Sequence, residues 1–471
     1  MKIALFTPPS TYADWYHFPV IGLGYLKAVL KKHGFDAKII DARYHGLNGN
    51  QLIREITNFQ PDVIGVSTMT HDITQGAKIV SEIKKIHPNS IGIVGGCHIT
   101  ALPEKTLQEF PGFDYGIYGE GEKTIVELLT ALNNSTESKL DSVEGIVYRK
   151  DQSIVVTNPR MTMSSGELDG LPYPDFDDYF PKHRKSLSGK NAQYVMFTSR
   201  GCPFNCVFCM RVLGKKLRRR SPESVCDEME YAIKEFGAHN FRIRDELFLL
   251  KSKSSIATLE LIIKKGISKK AVWSGQTRID FVTPELIDLA KHSGCYMLGI
   301  GVESGDDEIL KYSMRGYTVD DVRKAVRIIK DANITLGTYY ILGHPNETRE
   351  SVKKTVDLAV ELNTDSIAVG IMVPYPGTQV YEMAKRGEAG YRLLSSNWED
   401  FDKYGSRCLE LEGISHDELK RWQKKAMIDF YIKNFKIKEI LSFLWTKRRG
   451  IIRFLFPFLF KKLSTDNPDK A

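Results

Sequence analysis

The first 130 or so residues alternate short apolar runs with stretches of helical periodicity. "KIALFTP" (2–8), "AKIIDA" (37–42), "DVIGVST" (62–68) and "IGIVGG" (91–96) have strand length, and "DYGIYG" (114–119) is a weaker fifth. Between them, "IGLGYLKAVLKKHG" (21–34), "QLIREITNF" (51–59), "ITQGAKIVSEIKKI" (73–86), "ALPEKTLQEF" (101–110) and "EKTIVELLTAL" (122–132) carry helical patterns, the first closed by Gly34. This alternation predicts a parallel sheet with helices on both faces, whose ligands bind beyond the carboxyl ends of the strands. Residues 141–190 break the rhythm: "EGIVYRK" and "SIVVTNP" read as a hairpin, and "LDGLPYPDFDDYF" as an irregular linker.

From residue 194 the alternation resumes. Strands are predicted at "YVMFTS", "FRIRDE", "VWSGQT", "YMLGIGVES", "TLGTYYILG" and "DSIAVGIMV", with helices near 223–236, 254–265, 284–293, 319–332 and 348–362. Six steps of about 30 residues, the length of a βαβ unit, predict a partial (βα)6 TIM-type barrel rather than a full eight. The predicted division is 1–140 for the sheet domain, 141–190 for the linker with hairpin, 191–390 for the partial barrel and 391–471 for a helical region with a basic tail.

In such barrels chemistry gathers at the carboxyl ends of the strands. The sequence places Cys202, Cys206 and Cys209 after the first strand, Asp245 and Glu246 after the second, and Gln276 and Arg278 after the third. Glu303 and Ser304 follow the fourth strand, Gly343 and His344 the fifth, and "PYPGT" (374–378) the sixth. Loops begin at strand ends and are polar for that reason alone, but that explains less well a rim that opens on three thiols.

Composition is that of an ordinary globular chain: 471 residues, 42% hydrophobic and 26% charged, enough to form sizeable cores. The net charge of +8 is concentrated in residues 420–471, where 14 Lys/Arg face four acidic residues, leaving the rest near −2. Nucleic-acid binding is therefore not predicted. "RVLGKKLRRRSPE" holds six basic residues and reads as a solvated loop flanking the site. "KEILSFLWTKRRGIIRFLFPFLFKKL" mixes aromatic side chains with cations, as an interfacial segment on an anionic membrane does, and equally as a last helix docked on the barrel. Its apolar pieces are too short to span a bilayer, and "MKIALFTPPS" does not read as a signal peptide.

Seven cysteines in this pattern point to a metal in a reducing, cytoplasmic compartment rather than to disulfides. CxxxCxxC supplies three soft thiolates, which suit an iron–sulfur cluster or zinc, and zinc would want a fourth ligand nearby. A four-iron cluster held by three cysteines keeps one iron open. Gly201, Pro203 and Asn205 give the loop its turns. The other four cysteines, Cys97, Cys226, Cys295 and Cys408, read as buried small hydrophobes, and Trp273 and Tyr340 as core or pocket wall.

"CPFNCVFC" resembles the signature of the radical SAM superfamily, with an aromatic residue, Phe208, before the last cysteine. Together with "PVIGLGYL", "GGCHITALPE", "YGEGE", "LDGLPYPD", "RRRSPE", "RDELF", "WSGQTRID", "GVESG" and "PYPGT", residues 1–405 resemble the cobalamin-dependent radical SAM enzymes. The resemblance implies a flavodoxin-like (Rossmann-like) cobalamin-binding domain ahead of the radical SAM barrel. It implies that Cys202, Cys206 and Cys209 ligate three irons and that S-adenosylmethionine binds the fourth through its amino and carboxylate groups. Phe208 would lie beside the adenine, Asp245 and Glu246 near the ammonium group, Gln276 and Arg278 near the carboxylate or the substrate, and Glu303 and Ser304 at the ribose. Gly343 and the "PYPGT" loop would permit close approach to the adenosyl group. Reductive cleavage would give a 5′-deoxyadenosyl radical, with electrons from a donor such as a flavodoxin or ferredoxin.

For cobalamin, the resemblance places the nucleotide tail by Ser67, Thr68, Gly95 and Gly96. Many cobalamin proteins carry an Asp-x-His-x-x-Gly loop; here Asp14 and His17 are one residue too far apart and no glycine follows in register, so cobalt without a protein histidine is expected. Tyr12 to Phe18 would line the cavity, His98 would be a hydrogen-bonding loop residue, and "GEGEKT" a turn opening a helix, with Glu122 near its start. The expected reaction is methylation of an unactivated carbon in a small-molecule or lipid substrate. The alternatives are radical oxidative cyclisation of the anaerobic porphyrin-ester-cyclase kind and a non-catalytic cobalamin sensor, which the intact cysteine triad disfavours. Methylthiolating relatives carry three further cysteines in the first domain, where this chain has only Cys97.

Overall fold

The apolar runs of the first half form strands β1 (Lys2–Thr7), β2 (Asp36–Asp41), β3 (Val63–Thr68), β4 (Ile91–Gly96) and β5 (Tyr115–Ile117). The computed structural model describes residues 1–9, 18–134, 137–180, 193–402 and 407–436. The five strands are parallel, in the order β2-β1-β3-β4-β5. Both faces of the sheet are covered, so β1 shows no alternation: Ile3, Ala4, Leu5 and Phe6 are all buried. Helices Ile21–Lys32, Gly49–Phe59, Ile73–Ile86 and Gly121–Asn133 contribute Leu23, Leu30, Ile56, Ile79, Ile83 and Leu128 to the core. Each such side chain contributes about 1.5–3 kcal/mol on burial.

The hairpin expected in the linker is instead part of this sheet. Strands β6 (Ile146–Lys150) and β7 (Ser153–Val156) continue it antiparallel from β5, with Ile117 opposite Ile146, and so cover an edge that would otherwise be open. The Pro/Asp-rich stretch after it is irregular, as predicted, but firmly docked. Phe176 is buried so close to Gly24 that a Cβ there would come within 2.6 Å of its ring. Lys27 Nζ pairs with Asp178 at 2.6 Å, and the Tyr179 hydroxyl donates to Asp41 at 2.9 Å.

The second sheet begins with β8 (Tyr194–Met196). A short antiparallel pair, β9 (Ser199–Arg200) and β10 (Arg218–Arg219), frames the cysteine loop. Strands β11 (Asn240–Ile243), β12 (Val272–Thr277), β13 (Cys295–Glu303), β14 (Thr335–Leu342) and β15 (Ser366–Ile371) then extend β8 in chain order, all parallel, as a six-stranded partial barrel. In β14, Leu336, Thr338, Tyr340 and Leu342 are buried while Tyr339 and Ile341 on the other face stay partly open. Helices Pro222–Phe236, Lys253–Lys264, Pro284–His292, Val319–Asp331 and Arg349–Leu362 each start on a hydroxyl cap (Ser221, Ser252, Thr283, Thr318 and Thr348) that accepts from the first turn, about 1 kcal/mol apiece.

The last part is not wholly helical. Strands β16 (Tyr391–Leu393) and β17 (Leu409–Leu411) pair antiparallel before helix His416–Lys433, which is fixed by Gln423 donating to Val369 O at 2.8 Å and by an Arg349–Glu418 pair at 2.6 Å. Residues 437–471, with most of the basic tail, lie outside the described residues. Among the described residues no helix is long and apolar enough to cross a membrane.

Candidate active site at the rim of the six-stranded sheet

The cysteine loop is shaped by its backbone. Gly201 has φ +86°, and an added Cβ would sit 2.3 Å from Lys216 O. Cys202 N donates to Gly214 O and Cys209 N to Cys206 O, each at 3.1 Å, and Val380 N donates to Val207 O at 3.2 Å from the helix beyond β15. All three cysteines are free; Cys206 is buried and the other two partly so. Burial is the main cause raising the Cys202 and Cys209 thiol pKa values; backbone hydrogen bonds from Phe204 and Arg211 oppose it, and neighbouring thiols of the triad raise both further. The three sulfurs are therefore near enough to feel one another. Among the described residues no three Cys, His, Asp or Glu side chains gather tightly enough to hold a single metal ion.

Two arginines converge on Cys206. Arg278 Nη1 lies 3.8 Å from its sulfur and Arg315 Nη1 3.1 Å. Arg278 is otherwise fully engaged: Nε donates to Asp280 at 2.9 Å, Nη2 to Arg315 O at 2.5 Å, and its guanidinium stacks 3.5 Å from the centre of the Phe204 ring. Arg315 donates to the Tyr317 hydroxyl at 2.8 Å and to Gly301 O at 3.2 Å, and stands 3.4 Å from Glu303. Arg315 was not singled out from the sequence, because it follows the short helix Asp307–Tyr312 rather than a strand. Its only local signal is an arginine ahead of Gly316 in "YSMRGYT", which is weak.

Glu303 closes β13 with φ +68°, where the register with β14 slips. A left-handed glutamate costs about 1–3 kcal/mol, which the surrounding structure offsets. Burial raises its carboxyl pKa, opposed by Arg315 and Arg278. Asp245 is turned to local work: it accepts from Thr198 N at 2.7 Å, Thr198 Oγ1 at 2.5 Å and Ser199 Oγ at 2.6 Å. Glu246 accepts from Gly201 N at 2.7 Å and so braces the cysteine loop. Ser304 is buried, 3.1 Å from the Thr355 hydroxyl, and accepts from Asp306 N. Gln276 stands exposed on β12. Gly343 has φ +94° and donates to Glu347 at 2.5 Å. His344 bonds Ser313 at 2.8 Å, and its ring lies 5.9 Å from Phe208. Burial holds the His344 imidazole at a pKa of about 3 and lifts the Glu347 carboxyl to about 8. The fold thus joins the triad, Phe208, Glu246, Arg278, Glu303 and His344 in one network, with Asp245 and Ser304 bonded to the backbone and side chains behind it.

A cavity of about 280 Å³ opens at the carboxyl ends of β3 and β4. Ser67, Gly95 and Gly96 line it; Thr68 does not, being buried and bonded at 3.4 Å to Gly95 O. Gly96 is held at φ +108°, where a Cβ would come within 2.2 Å of Thr68 O. Cys97 also lines the cavity, half-buried rather than in a core. His98 is fully buried in the short helix Cys97–Ala101 against Trp398, at 4.8 Å, and neither ring nitrogen is hydrogen-bonded, so it is a packing residue and not the expected hydrogen-bonding one. Asp14 and His17 lie outside the described residues.

The far wall of that cavity is Phe197, Arg200, Val212 and Leu213 from the second half. There "GEGE" is more than a turn. Glu120 and Glu122 pair with Arg200 at 3.2 and 2.6 Å, and Glu120 with Arg218 at 2.9 Å, all four buried. The basic run is only in part the solvated loop expected: Lys215 and Lys216 are exposed, but the arginines that follow turn inward. Arg218 and Arg220 are buried, the latter on Glu228, whose other oxygen accepts from the Tyr194 hydroxyl. The Glu120 and Glu122 partners are too distant in sequence from Arg200 and Arg218 to be paired by inspection.

Residues 16–129 match the family model for the B12 binding domain and 196–359 that for the radical SAM superfamily. An uncharacterized methyltransferase of Pyrococcus horikoshii is 31% identical over 449 residues, spanning 94% of this chain and 95% of the relative. The chain belongs to the cobalamin-dependent radical SAM enzymes. The anaerobic magnesium-protoporphyrin IX monomethyl ester cyclase of Rubrivivax gelatinosus is 26% identical, over 93% of this chain and 78% of its own. The fold matches the radical S-adenosylmethionine methyltransferase TsrM of Kitasatospora setae with a TM-score of 0.70 at 18% identity, over 92% of this chain and 88% of that one.

As a cobalamin-dependent radical SAM enzyme, the protein uses a [4Fe–4S] cluster, S-adenosylmethionine and cobalamin. Its residues fit these groups. The triad offers three free thiols on one loop, the soft donors that an iron–sulfur cluster takes. The cavity is cradled by Gly22, Gly65, Gly95, Gly96, Gly119 and Gly121, and at Gly22 and Gly119 a Cβ would meet nothing within 4 Å, so side chains there would fill space a ligand can take.

Proposed function

We propose that this protein methylates an unactivated carbon of a small-molecule or lipid substrate. The observation that carries the reading is that Val212 and Leu213, three and four residues past Cys209, wall the glycine-cradled cavity, so the cysteine loop and the cobalamin site meet. When bound, the cluster and S-adenosylmethionine supply a hydrogen-abstracting carbon radical, and cobalamin supplies the methyl group. The chain's own residues position and shield. Cys202, Cys206 and Cys209 hold the cluster. Phe208 with His344 walls the adenine side, and Gly343 keeps the backbone close. Glu246 and Glu303 face the positive and hydroxyl groups of S-adenosylmethionine, and Gln276 faces the substrate side. Asp245, Ser304 and Arg278 hold the loops behind them in place, because their polar atoms are already engaged. Ser67, Gly95 and Gly96 receive the nucleotide tail, with Thr68 beneath.

An electron has to arrive from outside, so a one-electron donor such as a flavodoxin or ferredoxin belongs to the proposal, as does peripheral membrane contact through the aromatic, basic tail. The Rubrivivax cyclase favours a second reading, oxidative ring formation with the same cofactors. Incubation with S-adenosylmethionine labelled in its methyl group decides between them. Label in the product together with released 5′-deoxyadenosine is expected; 5′-deoxyadenosine with unlabelled product would turn the reading to the cyclase type.

A further inference from the structure

The two arginines on Cys206 carry an inference that rests on the cluster assignment above. Cys202 and Cys209 receive backbone hydrogen bonds, and the Arg278 charge also acts on Cys202; the guanidinium–sulfur contacts, at 3.1 and 3.8 Å, are both to Cys206. Both arginines are 7% exposed, so water screens them little. Each is locked. Asp280, the Arg315 carbonyl and the Phe204 ring hold Arg278; Tyr317, the Gly301 carbonyl and Glu303 hold Arg315. A Cβ on Gly301 would lie 2.2 Å from Glu303 Oε1 and 3.1 Å from Arg315 Nη2, so a larger residue there would displace the Glu303 carboxylate from its place beside Arg315.

We propose that Arg315, backed by Arg278, is a positioning residue that raises the reduction potential of the cluster through the Cys206 sulfur and biases the added electron toward the iron that Cys206 binds. Hydrogen bonds to cluster sulfurs and nearby charge are the levers that set such potentials. Reduction adds one negative charge to the cluster and makes or breaks no protein bond. A fixed cation within hydrogen-bonding distance favours the reduced form.

The test is EPR-monitored potentiometry on anaerobically reconstituted full-length protein, with dithionite as reductant and iron and sulfide content measured first. Arg315→Gln is expected to hold the cluster with a more negative midpoint potential, Arg278→Gln to shift it less, and Arg315→Lys to fall between Arg315→Gln and the natural protein. Arg349→Gln, which alters an exposed pair with Glu418, is the control and stays at the natural value. Unchanged potentials in both Gln variants overturn the proposal. So does failure of all three variants at positions 278 and 315 to assemble a cluster, which makes the arginines scaffold only. If the natural protein itself binds no cluster, the site assignment fails instead.

Discussion

Gly201 sits at φ +86° with Lys216 O where its Cβ would be. Gly201→Ala is therefore expected to destabilise the cysteine loop by at least about 1–2 kcal/mol and to lower iron per chain on reconstitution, read by colorimetric iron assay. Full iron loading would show that the loop has slack the geometry denies. At Glu347 the prediction concerns pH. Burial raises its carboxyl from 4.5 to about 8, outweighing the Gly343 and His344 backbone hydrogen bonds. The folded state thus keeps a proton that the unfolded chain loses first. Its stabilising contribution is complete below about pH 4.5 and is lost as the pH rises through about 8. Glu347→Gln cannot ionise, so its melting temperature relative to the natural protein should rise between about pH 4.5 and 8 and level off above that. A difference that stays flat would contradict the assignment. Gly201 was legible in the sequence as a turn residue beside the triad. Arg315 was not, because nothing local ties it to a cysteine more than a hundred residues earlier in the chain.

Secondary structure was legible to within a residue or two where a single local signal decided it. The run "VWSGQT" is β12 itself, and the helix predicted at 348–362 is Arg349–Leu362 behind its Thr348 cap. Elements that depend on distant partners were harder. The hairpin was found, but its pairing with the three-residue β5 leaves no local trace. Arg218 within the basic run looked solvated because the acid that neutralises it lies in another element: it meets Glu120, 98 residues away. That burial makes a prediction at the level of the joint. Glu120→Ala strands Arg218 without its carboxylate and should cost about 3–5 kcal/mol, seen as a lower urea midpoint. Glu361→Ala, which breaks an exposed pair with Arg323, should stay within about 1 kcal/mol. Equal effects would mean that the buried pair is no more than a surface contact.

Across the whole molecule, the two sheets meet at their chemically active ends. The Glu120–Arg218 joint ties the first sheet domain to the strand that follows the cysteine loop, and the cavity lies between the carboxyl ends of β3 and β4 and that loop. Cobalamin affinity should therefore depend on residues of the second half. Leu213→Trp, which fills the cavity from that side, is expected to weaken cobalamin binding at least tenfold in a spectroscopic assay while leaving iron content unchanged. Unaltered affinity would separate the two sites. The account as a whole rests on three sulfurs leaving one iron free. Mössbauer spectroscopy of the protein reconstituted with an enriched iron isotope, before and after adding S-adenosylmethionine, tests it most directly. A four-iron cluster in which one iron site alone changes its parameters on addition is the predicted result; zinc in place of iron, or a cluster whose spectrum does not move, would contradict it.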